Sequence, residues 1–560
     1  MTTTTTATET PVAKVERRRA HAPIPESVDV AIIGAGLGGL TAGAYLARQG
    51  LTVAVFEQHY VAGGCATHFE RGPKRARYRF DVGLHYIGDC ERDGAIPSIL
   101  RGVGVELEYA ELDRDGFDTL LFPDLEFRIP VGVERYRDRL VAAFPNERRA
   151  IDRYVKALSA VMKATRLLDE RDGKMSLRVA LSLATDALRL SGLEGKTIGQ
   201  VLDSCGARDP KLRAVLLGQS GDYGLPPSQV SAFLHLGLAG HYFRGAYYPK
   251  GGGQTIADRL AATIEASGGS IHLRRGVEKI VVDAGSRVTG LRLEPHAGEP
   301  SREVRARVVL SNADISATML RLLGPEHLAA SQIERARSYK TAHALFLTFL
   351  GVEGDLAKSG MRATNYWQFD DYDMEGVYRI PATLDGYRAR GSYITSASLK
   401  DPAHATFHAP AGITNVEVMT LVPGDSALWG GASHLAAEGW GYTDEPRYRA
   451  IKASLEDQMV ERFSRLFPDA ASRIVFRESS TPLSHVRFTR ATGGTGYGIA
   501  ATPDQFMKNR PGYRGPLPGL YLCGASTRAG HGIVGSMATG RQAALRIAKD
   551  LGRTIVATAT

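Results

Sequence analysis

The chain has 560 residues, 43% hydrophobic and 23% charged, with a formal net charge of +9, the make-up of a globular protein of about two domains. Its four cysteines (Cys65, Cys90, Cys205, Cys523) stand far apart with no CxxC pair, which argues against a disulfide framework or a metal site and fits a reducing, cytoplasmic compartment. The basic excess is scattered and no apolar run reaches the roughly 18–20 residues of a membrane span; no nucleic-acid partner is expected, and a peripheral seat on the inner face of a membrane is the expectation the charge leaves open.

Residues 1–24 open on threonines and carry Lys14-Val15-Glu16-Arg17-Arg18-Arg19 with no apolar core behind them. They read as a disordered tail rather than a secretory signal, as do residues 553–560. Val28–Ile33 is a short, β-branched, apolar run of the kind found in buried parallel strands. Gly34-Ala35-Gly36-Leu37-Gly38-Gly39 follows directly, then Leu40–Gln49 reads as a helix stopped by Gly50. Leu51–Phe56 reads as a second strand, ending at Glu57. Strand, glycines, helix, strand and acid together make a dinucleotide-binding βαβ unit. Gly34 permits the tight turn, Gly36 lets a pyrophosphate approach the backbone, and Gly39 lets helix pack on strand. The helix N-terminus faces the phosphates. Glu57 is placed to accept hydrogen bonds from a ribose, which disfavours a 2′-phosphate.

Further along, residues 132–240 read as mostly helical, with Arg148–Leu168 and Ser176–Ser191 the clearest amphipathic candidates. Tyr248–Gly253 is a turn leading into a helix that runs to about Ser267. Ile271–Leu273, Val277–Asp283 and Val288–Leu293 read as short strands, and Val308–Asp314 as a return to the first sheet. Residues 340–500 hold strand-like runs such as Ala344–Leu350 and Val416–Val422. Gly519–Ala525 is an apolar strand running into glycine, Gly530–Gly540 is glycine-rich, and Arg541–Leu551 reads as a helix.

Gly63-Gly64 comes six residues after Glu57. This is similar to the ExxxxxGG continuation of flavoproteins of the glutathione-reductase-like superfamily, and it selects FAD over NAD. The late glycine turn agrees, since in that superfamily such a turn and the helix after it face the flavin. The expected fold class is α/β: a discontinuous glutathione-reductase-like Rossmann FAD-binding domain (25–105, 245–315, 515–552) with an inserted α+β substrate domain (106–244, 316–514) that includes a helical lid. Residues expected at FAD are the Gly34–Gly39 turn, Glu57, Gln58, Gly63, Gly64, Cys65, His85, Val277, Asn312, Gly524, Ala525, Gly532, Ile533 and Val534. No second glycine-rich dinucleotide fold is present, so the electron donor or acceptor is not a bound NAD(P)H held in the disulfide-reductase manner.

Gly63–Phe69, Phe80–Gly88, Gly221–Gly224 and Gly245–Gly252 resemble the family of phytoene desaturases, carotenoid isomerases and all-trans-retinol 13,14-reductases (retinol saturases). The resemblance implies FAD-dependent hydride transfer at flavin N5, on carbon–carbon bonds of a long apolar carotenoid, retinoid, isoprenoid or fatty-acyl lipid. It also implies an apolar tunnel with one polar end. Cys65 stands where amine oxidases carry an arginine, and Gly530–Gly540 lacks their aromatic. His85, Tyr86, Asp222, Tyr223 and His531 are the candidate proton carriers; Asp81 is expected to be structural and Cys65 a packed residue. Three other readings stay open: a redox-neutral polyene isomerase, an amine-oxidase-like flavin oxidase, and a non-catalytic FAD-stabilised lipid binder.

Overall fold

The computed structural model describes residue 19 and residues 22–74, 76–169, 182–430 and 441–553. Its first sheet is built on the strand Ser27–Ile33, which pairs in parallel with Val53–Phe56 on one side and with Arg302–Ser311 on the other. Ser270–His272 extends the parallel set beyond Val53–Phe56. Besides Ser27–Ile33, Arg302–Ser311 serves two further neighbours. Its first half pairs antiparallel with Val288–Leu293, itself paired to Val277–Val282, and its last three residues pair in parallel with Leu520–Leu522. The seven strands therefore come from 27–56, 270–311 and 520–522. Helices Leu37–Ala47 and Gly532–Asp550 pack on each other over the parallel strands, with Gln254–Ala266 beside the first. This is the Rossmann-type α/β architecture expected.

A second seven-stranded sheet has the order 474–480, 344–353, 413–422, 391–395, 365–369, 118–122, 125–129. Its side chains alternate in the period of two that a strand imposes. Phe346, Leu350, Tyr366, Ile394, Val416 and Val418 form an outer core with Tyr448, Leu455, Met459 and Phe463 of the helix Pro446–Leu466. Leu345, Phe349, Trp367, Phe369, Tyr393 and Met419 fall on the opposite parity and line an interior cavity. Helices Val133–Ala143, Arg148–Asp169, Ile198–Cys205 and Ala232–Tyr242 cluster together, and Val161, Phe233, Leu234 and Leu238 bring two of them to the same cavity.

Several boundaries differ from the sequence reading. The first helix begins at Leu37, not Leu40, and the last at Gly532, not Arg541. In both, glycine's poor helix propensity is overridden by close packing: a Cβ on Gly540 would lie 2.1 Å from the Gly38 carbonyl oxygen. The second strand starts at Val53, and the strand expected at Val308 already begins at Arg302. Of Ser176–Ser191, residues 176–181 lie outside the described residues; the remainder joins the short helix Ala187–Leu193. Arg19, assigned to the tail, is buried at 5% exposure and ion-paired to Glu265 at 2.9 Å; the other residues up to 21, and residues 554–560, lie outside the described set.

Candidate active site

The register brings the ends of the parallel strands level: Ile33 pairs with Phe56 and Ser311, Phe56 with His272, and Ser311 with Leu522. Gly34, Glu57, Asn312 and Cys523-Gly524 consequently meet along one edge, the crevice in which open α/β sheets bind ligands. Gly34 turns the chain with φ of +92°, and its N–H donates to the Phe56 carbonyl at 2.8 Å. The helix Leu37–Ala47 starts from Gly36 with no side-chain cap, and Gly532–Asp550 starts from His531, also uncapped. Both present first-turn N–H groups and a positive dipole end. Gly36 bridges to Gly63, whose N–H donates to the Ala35 carbonyl at 2.8 Å, joining the two glycine pairs. Between the helices Asn312 fills the gap, its Nδ2 3.4 Å from the Gly34 carbonyl oxygen.

Glu57 accepts the Ala35 N–H on Oε2 and the His59 N–H on Oε1, each at 2.8 Å. Burial raises the pKa of its carboxyl, opposed by these backbone donors. A carboxylate offers about four acceptor sites, so two N–H donors leave capacity for a diol.

The crevice opens into a cavity of about 1170 Å³, above the roughly 300–1,000 Å³ of a single drug-sized ligand site. Most of the expected cofactor residues line it: Gly34, Gly36, Leu37, Gly38, Glu57, Gln58, Gly63, Gly64, Cys65, His85, Val277, Asn312, Gly524, Ala525, Gly532, Ile533 and Val534. Ala35 and Gly39 stand behind the wall. Ala35 is spent on Glu57, and a Cβ on Gly39 would lie 2.2 Å from the Gly34 carbonyl oxygen. Cys65 is a lining thiol whose pKa burial raises.

Of the proton-carrier candidates, His85, Tyr86, Asp222 and His531 line the cavity. Tyr223 does not: it is 1% exposed and bonded to His235 Nδ1 at 2.9 Å. On the short 3-10 turn Ser220–Asp222 adjacent side chains diverge, so only Asp222 faces inward. His85 Nδ1 lies 2.8 Å from Glu417 Oε2, while Glu417 Oε1 accepts the Asp81 N–H at 2.7 Å. Burial, then the Glu417 carboxyl, push Asp81 up to about 6, and the Tyr248 hydroxyl donates to it. Lys400, lowered to about 8 by burial, donates to the His85 carbonyl at 2.6 Å. Burial takes His531 down to about 3, so it is neutral at pH 7.

His485 Nδ1, on a residue of this cavity, is buried without a hydrogen-bond partner, and the His531 ring has only the Asp222 backbone beside it. Buried polar groups in native proteins are nearly always satisfied, so this wall is shaped for a ligand bearing polar atoms. With two uncapped helix N-termini and a glycine-lined crevice, it fits a flavin.

Residues 37–379, more than half of the chain, match the family model of flavin-containing amine oxidoreductase. The chain belongs to the flavin-containing amine oxidoreductase family. Within this family of flavoproteins, it is 28% identical over 523 residues to the all-trans-retinol 13,14-reductase of Danio rerio, covering 90% of this chain and 83% of that one. It is 24% identical over 541 residues to the chloroplastic prolycopene isomerase of Daucus carota, covering 94% and 80%. The crystal structure of an oxidoreductase from Methanosarcina mazei has the same fold, with a TM-score of 0.60 at 17% identity, covering 92% of this chain and 99% of that one. Among the described residues of this amine oxidoreductase family member, no helix is long and apolar enough to cross a membrane and no His, Cys, Asp and Glu cluster is arranged for a metal.

Five residues of the flavoprotein's site go unnoticed in the sequence: Asp118, Trp367, Lys400, Glu417 and Arg510. Arg510 is almost fully buried, lowered to about 10 by burial, and donates to the carbonyls of Ile499 (2.7 Å) and Ala525 (3.1 Å), holding the turn after Leu520–Leu522. Glu417 alone leaves a signal: it sets a buried carboxylate between Val416 and Val418 in an apolar strand.

Proposed function

We propose that this chain binds FAD in a domain of residues 25–105, 245–315 and 515–552 and is an oxidoreductase of carbon–carbon bonds in a long apolar polyene, isoprenoid or fatty-acyl lipid. The observation that carries the substrate class is the parity of the second sheet. Leu345, Phe349, Trp367, Phe369, Tyr393 and Met419 offer the cavity an aromatic and aliphatic floor, with Phe233, Leu234 and Leu238 of a lid helix opposite. Such a floor retains a hydrocarbon by burying its surface at roughly 25 cal/mol per Å². The spare acceptor capacity of Glu57, one strand from the Gly34 turn, supports a ribose and hence a dinucleotide.

Bound flavin supplies hydride exchange at its N5. The protein's part is to exclude water with the lid helices, to present the two helix N-termini to anionic phosphates, and to hold His85 in place through Glu417 and Lys400. The net charge of +9 supports loading at an anionic membrane surface, where such lipids reside. A second reading, redox-neutral isomerisation of the same lipids, is favoured by the similarity to a protein named prolycopene isomerase.

The test is anaerobic flavin spectroscopy with polyenes, retinoids, fatty-acyl lipids and amines. Lipid-dependent reoxidation of reduced flavin is saturation, lipid-dependent bleaching is desaturation, and a changed isomer of unchanged mass is isomerisation. Bleaching by amines with hydrogen peroxide release, and by no lipid, overturns the reading, as does a purified chain that takes up no FAD.

A further inference from the structure

We infer that Asp222 is the proton donor of this cavity, a carboxylic acid kept protonated by a hydrogen-bond chain that ends on an ionised Asp118; the inference rests on the lipid oxidoreductase reading and gives it a direction. Asp118, 0% exposed, heads the strand Asp118–Phe122. Its Oδ1 accepts the Asn365 amide at 2.9 Å and its Oδ2 the Gln219 amide at 2.7 Å. The Thr395 hydroxyl donates to Asn365 Oδ1 at 3.0 Å, which fixes that amide's orientation. N–H donors on both oxygens are the environment of a carboxylate.

The Tyr86 hydroxyl then lies 3.0 Å from Asp118 Oδ2 and 2.8 Å from Asp222 Oδ2. A phenol has one hydrogen to give. Donated to the Asp118 carboxylate, it leaves the shorter contact a hydrogen bond only if Asp222 is the donor, with its proton on Oδ2. The reverse assignment would protonate the carboxyl that already accepts two amides and ionise the one whose hydrogen-bond partners are only the phenols of Tyr86 and Tyr242.

The surroundings agree. Facing Asp222 are the phenols of Tyr86, Tyr223, Tyr242, Tyr378, Tyr393 and Tyr497, the Asp118 carboxylate and the neutral His531. None brings a positive charge. Lys400 is 5.9 Å from the Tyr86 ring centroid and committed to the His85 carbonyl. Burial, then the charge of Asp118, push Asp222 up to about 8.

A protonated acid on the cavity wall suits hydrogenation rather than proton abstraction. The alkene takes a hydride, with its electron pair, from reduced flavin at one carbon. Its π pair takes the Asp222 proton at the neighbouring carbon. The flavin ends oxidised by two electrons, and the Asp222 carboxylate regains a proton from solvent. Asp118 and Tyr86 are positioning residues.

Infrared spectroscopy of the flavin-loaded chain, in H₂O and D₂O, locates the proton without turnover. The expected result is a protonated-carboxyl stretch at pH 7, shifted in D₂O, fading as pH rises past about 8 and missing from flavin-loaded Asp222→Asn. A wild type without that band, a band unchanged in Asp222→Asn, or one lost only in Asp118→Asn overturns the inference. The pH titration of the wild type decides the matter even if a variant fails to fold. With dithionite-reduced enzyme and a polyene in D₂O, two solvent deuteriums enter per saturated bond, one by way of the exchangeable hydrogen at flavin N5 and one from the Asp222 carboxyl, and Asp222→Asn loses about 10²-fold or more in rate. If no lipid reacts with wild type while the band behaves as described, the substrate reading fails and the placement of the proton stands.

Discussion

Replacing Gly540 with alanine tests whether the two glycine-bearing helices hold the flavin crevice at its present width. The new Cβ would lie 2.1 Å from the Gly38 carbonyl oxygen, 2.9 Å from the Gly38 carbonyl carbon and 3.1 Å from its Cα. All three are backbone atoms, so no side chain can swing aside. Relief requires the helix Gly532–Asp550 to back away from Leu37–Ala47 by about 1 Å, taking Gly532, Ile533 and Val534 with it. Overpacking of this kind costs about 1–3 kcal/mol; if that cost also falls on the flavin-bound state, affinity drops by roughly 5- to 150-fold. Gly192→Ala is the matched control. Gly192 lies in the helix Ala187–Leu193 with nothing within 4 Å of the added Cβ, so alanine should stabilise by about 0.5–1 kcal/mol. The assay is urea unfolding of apoprotein together with FAD titration by flavin fluorescence. Gly540→Ala with wild-type midpoint and wild-type FAD affinity would refute the packing argument.

Glu57→Gln keeps one carbonyl acceptor but puts an amide against the N–H groups of Ala35 and His59; a loss of about 1–3 kcal/mol in FAD binding is expected by calorimetry. Met419→Trp should fill the floor of the cavity, abolishing lipid-dependent flavin reoxidation while the flavin absorbance of the purified protein is kept. Asp222 binds its proton more tightly folded, near 8, than unfolded, near 3.8. Between those values the native state therefore holds more protons than the unfolded state, and stability falls as pH rises. Denaturant unfolding from pH 5 to pH 8 should show a shallower fall in Asp222→Asn than in wild type.

The flavin crevice was readable in the sequence because its chemistry is local: Gly34, Glu57 and Gly63 announce themselves by spacing along a single βαβ unit. The same locality misplaced the last helix. Gly532, Gly535 and Gly540 weaken helix propensity, and the reasons lie in packing: Gly540 abuts the Gly38 backbone across the interface and Gly535 abuts the Gly530 carbonyl. Tyr223 shows a second limit, since sequence adjacency to Asp222 says nothing about which of two neighbours on a turn faces a cavity. The network of Asp118, Lys400 and Glu417, in which Glu417 alone stands out between its two valines, was out of reach for a third reason. Each is a single charge in an apolar or irregular stretch, and each gains its role from partners hundreds of residues away, as Glu417 does from His85.

The arrangement of the first sheet also bears on how the chain is made. Arg302–Ser311 cannot gain its last parallel neighbour until Leu520–Leu522 has left the ribosome, long after Ser27–Ile33. At about 5–20 residues per second, that interval is roughly 25–100 s. Throughout it the Gly34–Gly39 turn has no opposing helix from Gly532–Asp550, and the apolar interior of both sheets lies within reach of chaperones and proteases. A nascent chain of this protein therefore depends on being shielded before it can depend on its cofactor, and cellular yield should respond to holdase supply earlier than to flavin supply.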